Sequence, residues 1–471
     1  MSELIHDVEV VGVRGDPAST EVASVEFDSR RVGPGALFCC VPGERTDGHR
    51  YAGEAVGRGA AVLLCEHLLD LDVAQVQVPE GEVRPAMAEV AAAFYGHPAR
   101  ALTMVGVTGT NGKTTVTRLI GEILDRAGIP TGVIGTLDGA RTTPESPVLH
   151  HRLADFRQGG RRAVAMEVSS HALTQHRVDG IVFDVAAFTN LSRDHLDHHG
   201  SMEAYFEAKA RLFEPSRAGA AVVNVDDPWG RQLADRLAGH RVVAVRRAEA
   251  DEVLTSVGWS SFRWRGHTVR LPLTGMFNID NALLAASVAV ELGVDEARVV
   301  DGLAAAGPVP GRMEVVAAGP PVSVVVDYAH TPAGLEAALS SLREVAGPGR
   351  VICVFGCGGD RDRGKRPEMG AAASQWSDAV VLTSDNPRSE DPLAIIDQVR
   401  QGMGAAARLV VEPDRAEAIR AAIGMARDGD VVLVAGKGHE TTQTTGGTTR
   451  PFDDRVEVLR ALSGRTGGAA R

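Results

Sequence analysis

Lysine is nearly missing from this sequence. Of 471 residues only Lys113, Lys209, Lys365 and Lys437 are lysine, beside forty-five arginines. A lysine left in such a chain marks a place where a planar guanidinium cannot serve. It is a compact point charge, and its amine can be brought to a pKa at which it reacts. Aromatic residues make up only 4%, which excludes an aromatic platform for single-stranded nucleic acid. Basic charge is not in excess either. A formal net charge of −12 argues against a general nucleic-acid or anionic-membrane binder, yet leaves room for an anionic ligand held by local glycine loops and arginines. No apolar run approaches the roughly 20 residues of a spanning helix, and no charged-then-apolar leader is seen. The expectation is a cytoplasmic protein without a membrane or nucleic-acid partner, monomeric, acting on small molecules. The five cysteines are odd in number and form no CxxC pair; Cys353 and Cys357 lack the two further ligands zinc would want, so free thiols are expected.

The length suggests about three domains. Short apolar strands (VEVVGV, ALFCCV, AAVLLCE) and a helical stretch from Pro85 to Tyr95 fill the first segment. Gly- and Pro-containing breaks at 96–100 (GHPAR) and 307–312 (GPVPGR) then divide the chain into 1–98, 99–312 and 313–471. From Leu102 apolar runs (LTMVGV, AVAMEV, VFDVAAF, AAVVNV) alternate with amphipathic helices, and the alternation restarts after the second break with SVVVDYAH, RVICVFGCGG, AVVLTSDNPR and DVVLVAGKGHE. That pattern predicts an α/β fold in all three domains, with mostly parallel sheets covered by helices. Period-two alternation over 257–273 predicts an antiparallel addition, and the tail after Leu462 is expected to lack fixed structure.

TGTNGKTT follows the strand LTMVGV and opens a helix. In that setting the backbone N–H groups of Gly109, Thr110, Asn111, Gly112 and the helix start cradle phosphates; Lys113 reaches the β- and γ-phosphates, and the Thr114 hydroxyl, beside Thr115, ligates Mg²⁺. The string departs from the standard pattern by one place, since Val107 stands where its first glycine belongs. Glu167 ends a strand and is a candidate metal ligand, against the plainer reading of a solvated carboxylate. Ser169, Gln175 and Arg177 suit a sugar or phosphate substrate. The stretch 189–213 packs His195, His198 and His199 beside Asp194 and Asp197, which allows a zinc site or, with Glu167, a Mg²⁺ site. Lys209 conflicts with a metal unless its amine is carbamylated to an anionic ligand, which arginine cannot become; the alternative is a surface lysine on an amphipathic helix.

Taken in order, TGTNGKTT, MEVSSHAL, NLSRDHLDHHG with EAKARLF, GMFNIDNALLAA, PGRME, DYAHTP, GGDRDRGKRP, DNPRSEDP and AGKGHE resemble the Mur ligases along all three domains. The resemblance implies a small N-terminal α/β substrate domain, a central P-loop ATPase domain and a C-terminal Rossmann-like domain. It implies that Phe27, Ser29 and the Glu44-Arg45-Thr46 loop hold the uridine diphosphate, and that Thr142, Thr143, Ser169, Gln175 and Arg177 meet the muramoyl-dipeptide arm. Lys209 would be an N6-carboxylysine, with Thr114, Glu167 and His195 near Mg²⁺ and with Lys113, Glu167, His195 and Lys209 as the catalytic set. Asn278, Arg312, Asp327 and His330 would border ATP. The stretch from Ile134 to Thr142 is shorter than the hairpin usual in the family.

The loops GGDRDRGKRP, DNPR and AGKGHE each follow an apolar strand, and parallel strands gather such loops at one edge. Arg361, Asn386, Arg388 and Glu440 can therefore converge, a guanidinium matching a carboxylate and Glu440 an ammonium. Within the family, DNPR resembles the variant accepting meso-diaminopimelate, with Asp385, Pro387 and Gly436 beside these residues. The other reading pairs Arg388 with Glu390 or Asp391 on the surface. The implied reaction is ATP-dependent addition of meso-diaminopimelate to UDP-N-acetylmuramoyl-L-alanyl-D-glutamate through an acyl phosphate. Its alternatives are the same ligation with L-lysine, or a non-catalytic binding subunit.

Overall fold

Strands buried on both faces are read as near-continuous aliphatic runs, and the sheets of this protein are built on them. The computed structural model describes every residue except 44–45, 140, 320, 405–407 and 469–471. Two compact units emerge: Met1–Thr108 with Ile129–Ala186 and Ala208–Ala220, and Gly109–Gly128 with Ala187–Glu207 and Ala221–Arg471. They cut across the three segments suggested by the breaks at 96–100 and 307–312.

The first sheet comprises β1 (Gly12–Arg14), β2 (Ser24–Glu26), β3 (Ala36–Cys39), β4 (Ala60–Cys65) and β5 (Ala74–Gln77) in the order β1-β5-β4-β3-β2. Its strands are parallel except β1, which pairs antiparallel with β5. Of the strand expected over VEVVGV only Gly12 and Val13 pair, joined by Arg14 beyond it, and β1 is an edge with Val11 and Val13 exposed. Leu37, Cys39, Val62 and Leu64 meet the helix Val83–Phe94 through Val83, Met87 and Val90, while Phe38, Cys40 and Leu63 cover the opposite face with Ala52 and Ala55.

The second sheet holds β6 (Thr103–Thr108), β7 (Thr131–Ile134), β8 (Ala163–Glu167), β9 (Phe183–Phe188), β10 (Ala218–Asn224) and β11 (Val242–Val245) in the order β11-β10-β9-β6-β8-β7. Strand order reverses at β6, and the loop after such a strand is where open parallel sheets bind ligands. Gly106 in β6 is required by packing: a Cβ there would lie 2.9 Å from the Phe183 ring. The expected antiparallel addition is β12 (Asp251–Ser256), β13 (Trp259–Trp264) and β14 (His267–Leu271).

The last sheet is formed by β15 (Glu314–Ala317), β16 (Val322–Asp327), β17 (Val351–Phe355), β18 (Ala379–Leu382), β19 (Arg408–Val411) and β20 (Asp430–Ala435) in the order β15-β16-β20-β17-β18-β19. All are parallel but β15. Side chains divide by the pleat. Val325, Cys353, Phe355, Val380 and Leu433 face the helices Pro332–Ala346, Lys365–Trp376 and Pro392–Arg400, whereas Val324, Val354, Val381 and Val432 face Arg415–Met425 and the final helix. A hairpin of β21 (Thr442–Thr445) and β22 (Thr448–Pro451) follows, turned at Gly446 and Gly447, both at positive φ. The helix Asp454–Gly468, anchored by Val458 and Ala461 in the core and by the pair of Asp454 with buried Arg415, runs through 463–468, which were expected to lack fixed structure; 469–471 of that tail lie outside the described residues. The five cysteines are free and buried, and burial pushes the Cys65 thiol up to about 11.

Candidate active site

In the second unit, the loop after β6 is stitched to the segment after β9. Asn111 N donates to Asn190 Oδ1 at 3.0 Å, Thr189 Oγ1 to Asn111 O at 2.6 Å, and Ser192 N to Thr110 Oγ1 at 3.0 Å. Gly109 and Gly112 have φ of 146° and 86°, and a side chain at either would strike Thr189 or Asn281. Both positions therefore have to be glycine for the loop to close against Thr189 and Asn281. Lys113 donates to its own loop, to Gly109 O and Thr110 O at 2.9 Å each. Thr114, at the helix start, accepts from Arg312 Nη2 at 3.1 Å. Asn278 is buried and anchors the neighbouring turn, donating to Thr274 O at 2.8 Å and accepting from Asn281 Nδ2 at 3.1 Å.

Arg312 also stacks over Tyr328, 4.4 Å from the ring centroid. Asp327, at the end of β16, accepts from Met313 N at 2.6 Å; burial raises its carboxyl pKa against the opposing pull of Arg312. His330 Nδ1 lies 2.7 Å from Tyr328 O. The neighbouring His439 is neutral, its pKa lowered to about 4 by burial and then by Arg312 and Arg455.

Asp194, read from the sequence only as an acidic neighbour of the histidines, gathers cations from three segments. Its carboxylate faces His195 Nε2 at 3.4 Å, His330 Nε2 at 3.6 Å and Lys365 Nζ at 3.7 Å. Burial alone would raise it, but bonding to His330 and the charges of His330, His195 and Lys365 hold it well below the carboxylate range. Lys365, which sequence reasoning left without a partner, is thus a buried counter-charge to Asp194. Next door, Arg193 donates to Asp362 at 3.1 Å and Glu368 at 2.9 Å, tying NLSRDH to GGDRDRGKRP. The only earlier hint was that both strings carry charges of both signs. His195 has φ 54° and stands at the start of the short helix Leu196–His199. His199 stacks on Tyr205, whose phenol burial pushes up and which lies 3.2 Å from Thr110 Oγ1. Among the described residues no three His, Cys, Asp or Glu gather as a metal cluster, so the three histidines do not form the zinc site the spacing allowed.

The last-domain loops converge as the parallel sheet requires. Arg388, at φ 54°, donates Nη1 to Gly359 O at 2.6 Å. Among the described residues no carboxylate pairs with it. The surface reading of Arg388 fails because Glu390 is taken: it accepts from both terminal nitrogens of Arg366, at 3.0 and 2.9 Å, and from Asp360 N at 2.7 Å. Asp391 caps the following helix. Glu440 does not face an empty space as an isolated anion. Its Oε2 accepts from Lys437 at 3.0 Å and Asn386 Nδ2 at 2.8 Å, and Lys437, 0% exposed, reaches Asn386 Oδ1 at 3.2 Å. A buried ammonium requires such partners. Asp385 is buried and its carbonyl accepts from Gln443; Pro387 O accepts from Glu390 N, and Gly436 N donates to Asp327 O. Arg361 is exposed beside Gly358.

In the first unit, Glu167 ends β8 with Oε1 accepting from Thr136 N at 2.8 Å and Oε2 from Thr136 Oγ1 at 3.2 Å. It is buried, not solvated. Thr142 bonds Thr136, and Thr143 donates to Glu167 O at 2.9 Å and accepts from Ser169 N at 3.1 Å. Ser169 caps the helix Ser170–Thr174. Arg177 donates to Thr143 O at 3.1 Å and Gln175 Oε1 at 2.6 Å. No hairpin forms among the described residues between Ile134 and Thr142; turns and bends close it instead. Lys209, on the helix Met202–Ala210, is 1% exposed, which overturns the surface-lysine alternative. Ser29 Oγ donates to Glu54 at 3.1 Å, Phe27 is half-buried against the first core, and Thr46 is exposed; Glu44 and Arg45 lie outside the described residues. Of the four expected metal neighbours, Glu167 and Lys209 belong to the first unit and Thr114 and His195 to the second.

Three family profiles match: Mur ligase family, catalytic domain, over residues 21–104; Mur ligase middle domain over 107–289; and Mur ligase, glutamate ligase domain, over 311–438. The chain is 42% identical to the UDP-N-acetylmuramoyl-L-alanyl-D-glutamate–2,6-diaminopimelate ligase of Syntrophomonas wolfei, covering 98% of this chain and 99% of that protein. It is 43% identical to the ligase of the same name from Streptomyces coelicolor, over 97% and 96%. A solved structure of a ligase so named superposes with a TM-score of 0.68 at 33% identity, covering 99% of both chains. The MurF ligase of Thermotoga maritima, solved with ADP, shares the fold at a TM-score of 0.67 and 21% identity, over 95% and 99%. The chain belongs to the Mur ligase family.

Proposed function

We propose that this protein is the ATP-dependent ligase that joins meso-diaminopimelate to UDP-N-acetylmuramoyl-L-alanyl-D-glutamate in peptidoglycan synthesis. The name carried by relatives that align with nearly the whole chain supports the reaction. The observation that carries the amino-acid specificity is Arg388. Its partly buried guanidinium donates to Gly359 O and forms no ion pair with a carboxylate among the described residues. A distal carboxylate on the incoming amino acid would supply such a partner, and L-lysine has none.

ATP fits the loop after β6, a strand-to-helix turn in which Gly109 and Gly112 take positive φ and pack where a side chain would clash. Thr110, Asn111, Lys113, Thr114 and Thr115 would line it, with Asn278, Arg312, Asp327 and His330 beside it. Lys113 would exchange its loop carbonyls for phosphate oxygens. The glutamyl γ-carboxylate attacks the γ-phosphoryl group, whose bond to the β,γ-bridging oxygen breaks, giving an acyl phosphate and ADP. The incoming amine, deprotonated, then displaces phosphate. Mg²⁺ suits the oxygen-rich set of the Thr114 hydroxyl, Glu167 and a carbamylated Lys209, with His195, and would supply charge neutralisation at the phosphoryl group. Burial of Lys209 supports a role inside the protein over that of a surface cation, and a carbamate is the form in which it could join a metal's ligands. Ser29, Phe27 and Thr46, with Glu44 and Arg45, are assigned to the uridine diphosphate. Thr142, Thr143, Ser169, Gln175 and Arg177 are assigned to the muramoyl-dipeptide arm. Arg361, Asp385, Asn386, Pro387, Arg388, Gly436 and Glu440 would receive diaminopimelate.

Phosphate release with ATP and the muramoyl dipeptide tests the reading. Turnover is expected with meso-diaminopimelate and not with L-lysine, and Arg388→Lys should raise KM for diaminopimelate about tenfold or more while kcat holds. Preference for L-lysine would overturn the role of Arg388, and no turnover with either amino acid would overturn the ligase.

A further inference from the structure

The hairpin of β21 and β22 has almost no core of its own. Its strands, TQTT and TTRP, are exposed but for partly buried Thr444 and for Gln443, which is 2% exposed. Arg450 stands directly across from Gln443 and donates Nη2 to its Oε1 at 2.9 Å, while Gln443 Nε2 donates to Asp385 O at 2.9 Å. An amide can accept and donate at once; a carboxylate of the same length can only accept. The rest of the hairpin grips the same loop. Thr444 N donates to Asn386 Oδ1 at 3.0 Å, Arg388 N to Thr444 O at 3.0 Å, and Gly446 N to Arg388 O at 2.7 Å. Both backbone groups of Arg388 are therefore tied to the hairpin, at a φ of 54° that a residue with a side chain seldom adopts. Such a conformation persists where its surroundings over-determine it. All of these residues belong to the second unit.

We propose that this hairpin sets the preference of the ligase for a distal carboxylate, with Gln443 as the positioning residue that seats it against the loop 385–388. This rests on the ligase reading above and adds an element to which that reading gives no part. Gln443 acts through Asp385 and Arg388, not by touching substrate. Its buried amide fixes the first strand at the start of the loop, and Thr444 and Gly446 then hold the peptide units on both sides of Arg388. Without that amide the strand loses its anchor, and Arg388 relaxes toward the right-handed region that L-residues favour. The side chain swings with the backbone, and its guanidinium leaves the place where it meets the carboxylate. That carboxylate lies at the far end of the incoming amino acid from the amine that attacks. The change therefore falls on KM for the amino acid and not on the chemical steps.

The test uses the full chain and phosphate release, with saturating ATP and UDP-N-acetylmuramoyl-L-alanyl-D-glutamate. The varied amino acid is meso-diaminopimelate or its monoamide at the distal carboxyl. The wild-type protein should show KM for the monoamide about tenfold or more above that for the acid. Gln443→Met keeps the buried volume and removes the donor. It should raise KM for the acid about tenfold, bring the two KM values within about threefold of each other, and leave kcat and KM for ATP within about twofold. Added to Arg388→Met it should change KM for the acid by less than about twofold, because both act through one guanidinium. Arg450→Met, at an exposed position, removes one partner of Gln443 and should raise KM for the acid about threefold, which decides the matter if Gln443→Met does not fold. A Gln443→Met protein that discriminates acid from monoamide as the wild type does, or whose penalty adds in full to that of Arg388→Met, overturns the proposal. So does a loss confined to kcat, or, where Gln443→Met does not fold, an Arg450→Met protein with KM unchanged. In each of these the wild type still prefers the acid, and the ligase reading stands. Equal KM for acid and monoamide in the wild type overturns the proposal together with the role of Arg388. Absence of wild-type turnover with the acid overturns the ligase reading and the proposal with it.

Discussion

Replacing Glu390 by glutamine should destabilise the last domain by about 3 kcal/mol at neutral pH. The Glu390 carboxylate accepts both terminal nitrogens of Arg366, at 3.0 and 2.9 Å, and faces Arg363 at 3.2 Å. Arg366 is 0% exposed, and among the described residues its side chain bonds otherwise to Gln398 and Gly358 O. Glutamine preserves the shape but leaves a buried guanidinium without its counter-charge, a loss of about 3–5 kcal/mol. Hydrogen bonding from Arg366 also holds the Glu390 pKa down, from 4.5 to about 2. The sign follows from linkage. The folded pKa is depressed, so the stabilisation is present above the unfolded value and is lost as pH falls through the folded one. The gap between wild type and Glu390→Gln should therefore narrow by about 1 kcal/mol between pH 7 and pH 4. Urea titration of the two proteins at both pH values, followed by tryptophan fluorescence, measures it. A gap below about 1 kcal/mol at pH 7, or one that does not narrow on acidification, would refute the reasoning.

Three further outcomes follow from the same geometry. Lys209→Arg should abolish phosphate release while the protein melts within a few degrees of wild type, and CO₂-depleted buffer should lower wild-type activity reversibly; an active arginine variant would remove the carbamate. Gly112→Ala places a side chain at φ 86° against Asn281, so ATP binding followed by calorimetry should weaken about tenfold or more, with KM for diaminopimelate little changed. Asp454→Asn leaves Arg415, 0% exposed, without its partner, and should cost about 3–5 kcal/mol, releasing the final helix to proteolysis before the rest of the chain.

Much of the site was legible because its signals are local. TGTNGKTT needs only a strand before it and a helix after it, and both are present. The loops carrying Asn386, Arg388 and Glu440 could be brought together on paper, since consecutive parallel strands present their carboxyl ends on one side. What escaped were partnerships over long separations. Arg193 bonds a carboxylate 169 residues away, and Asp194 meets His330 and Lys365 from two other loops. No periodicity records such a pairing. Glu390 was read as a possible surface partner of Arg388, and only packing showed that buried Arg366 claims it. The end of the final helix, 463–468, was missed because its glycine-rich sequence reads as disorder, while the partner that anchors the helix start, Arg415, lies 39 residues before Asp454.

The sequence by itself determined the α/β class, the phosphate loop, the order of motifs and, through four retained lysines, where to look for chemistry. These follow from local backbone preference, side-chain period and the distinction between ammonium and guanidinium. Tertiary structure decided what each lysine faces. Lys113 folds onto its own loop, Lys209 is sealed from solvent, Lys365 opposes Asp194, and Lys437 is held by Asn386 and Glu440. A charge's partner is set by where the chain brings the opposite charge and how far water is excluded there, and both are properties of the packed molecule.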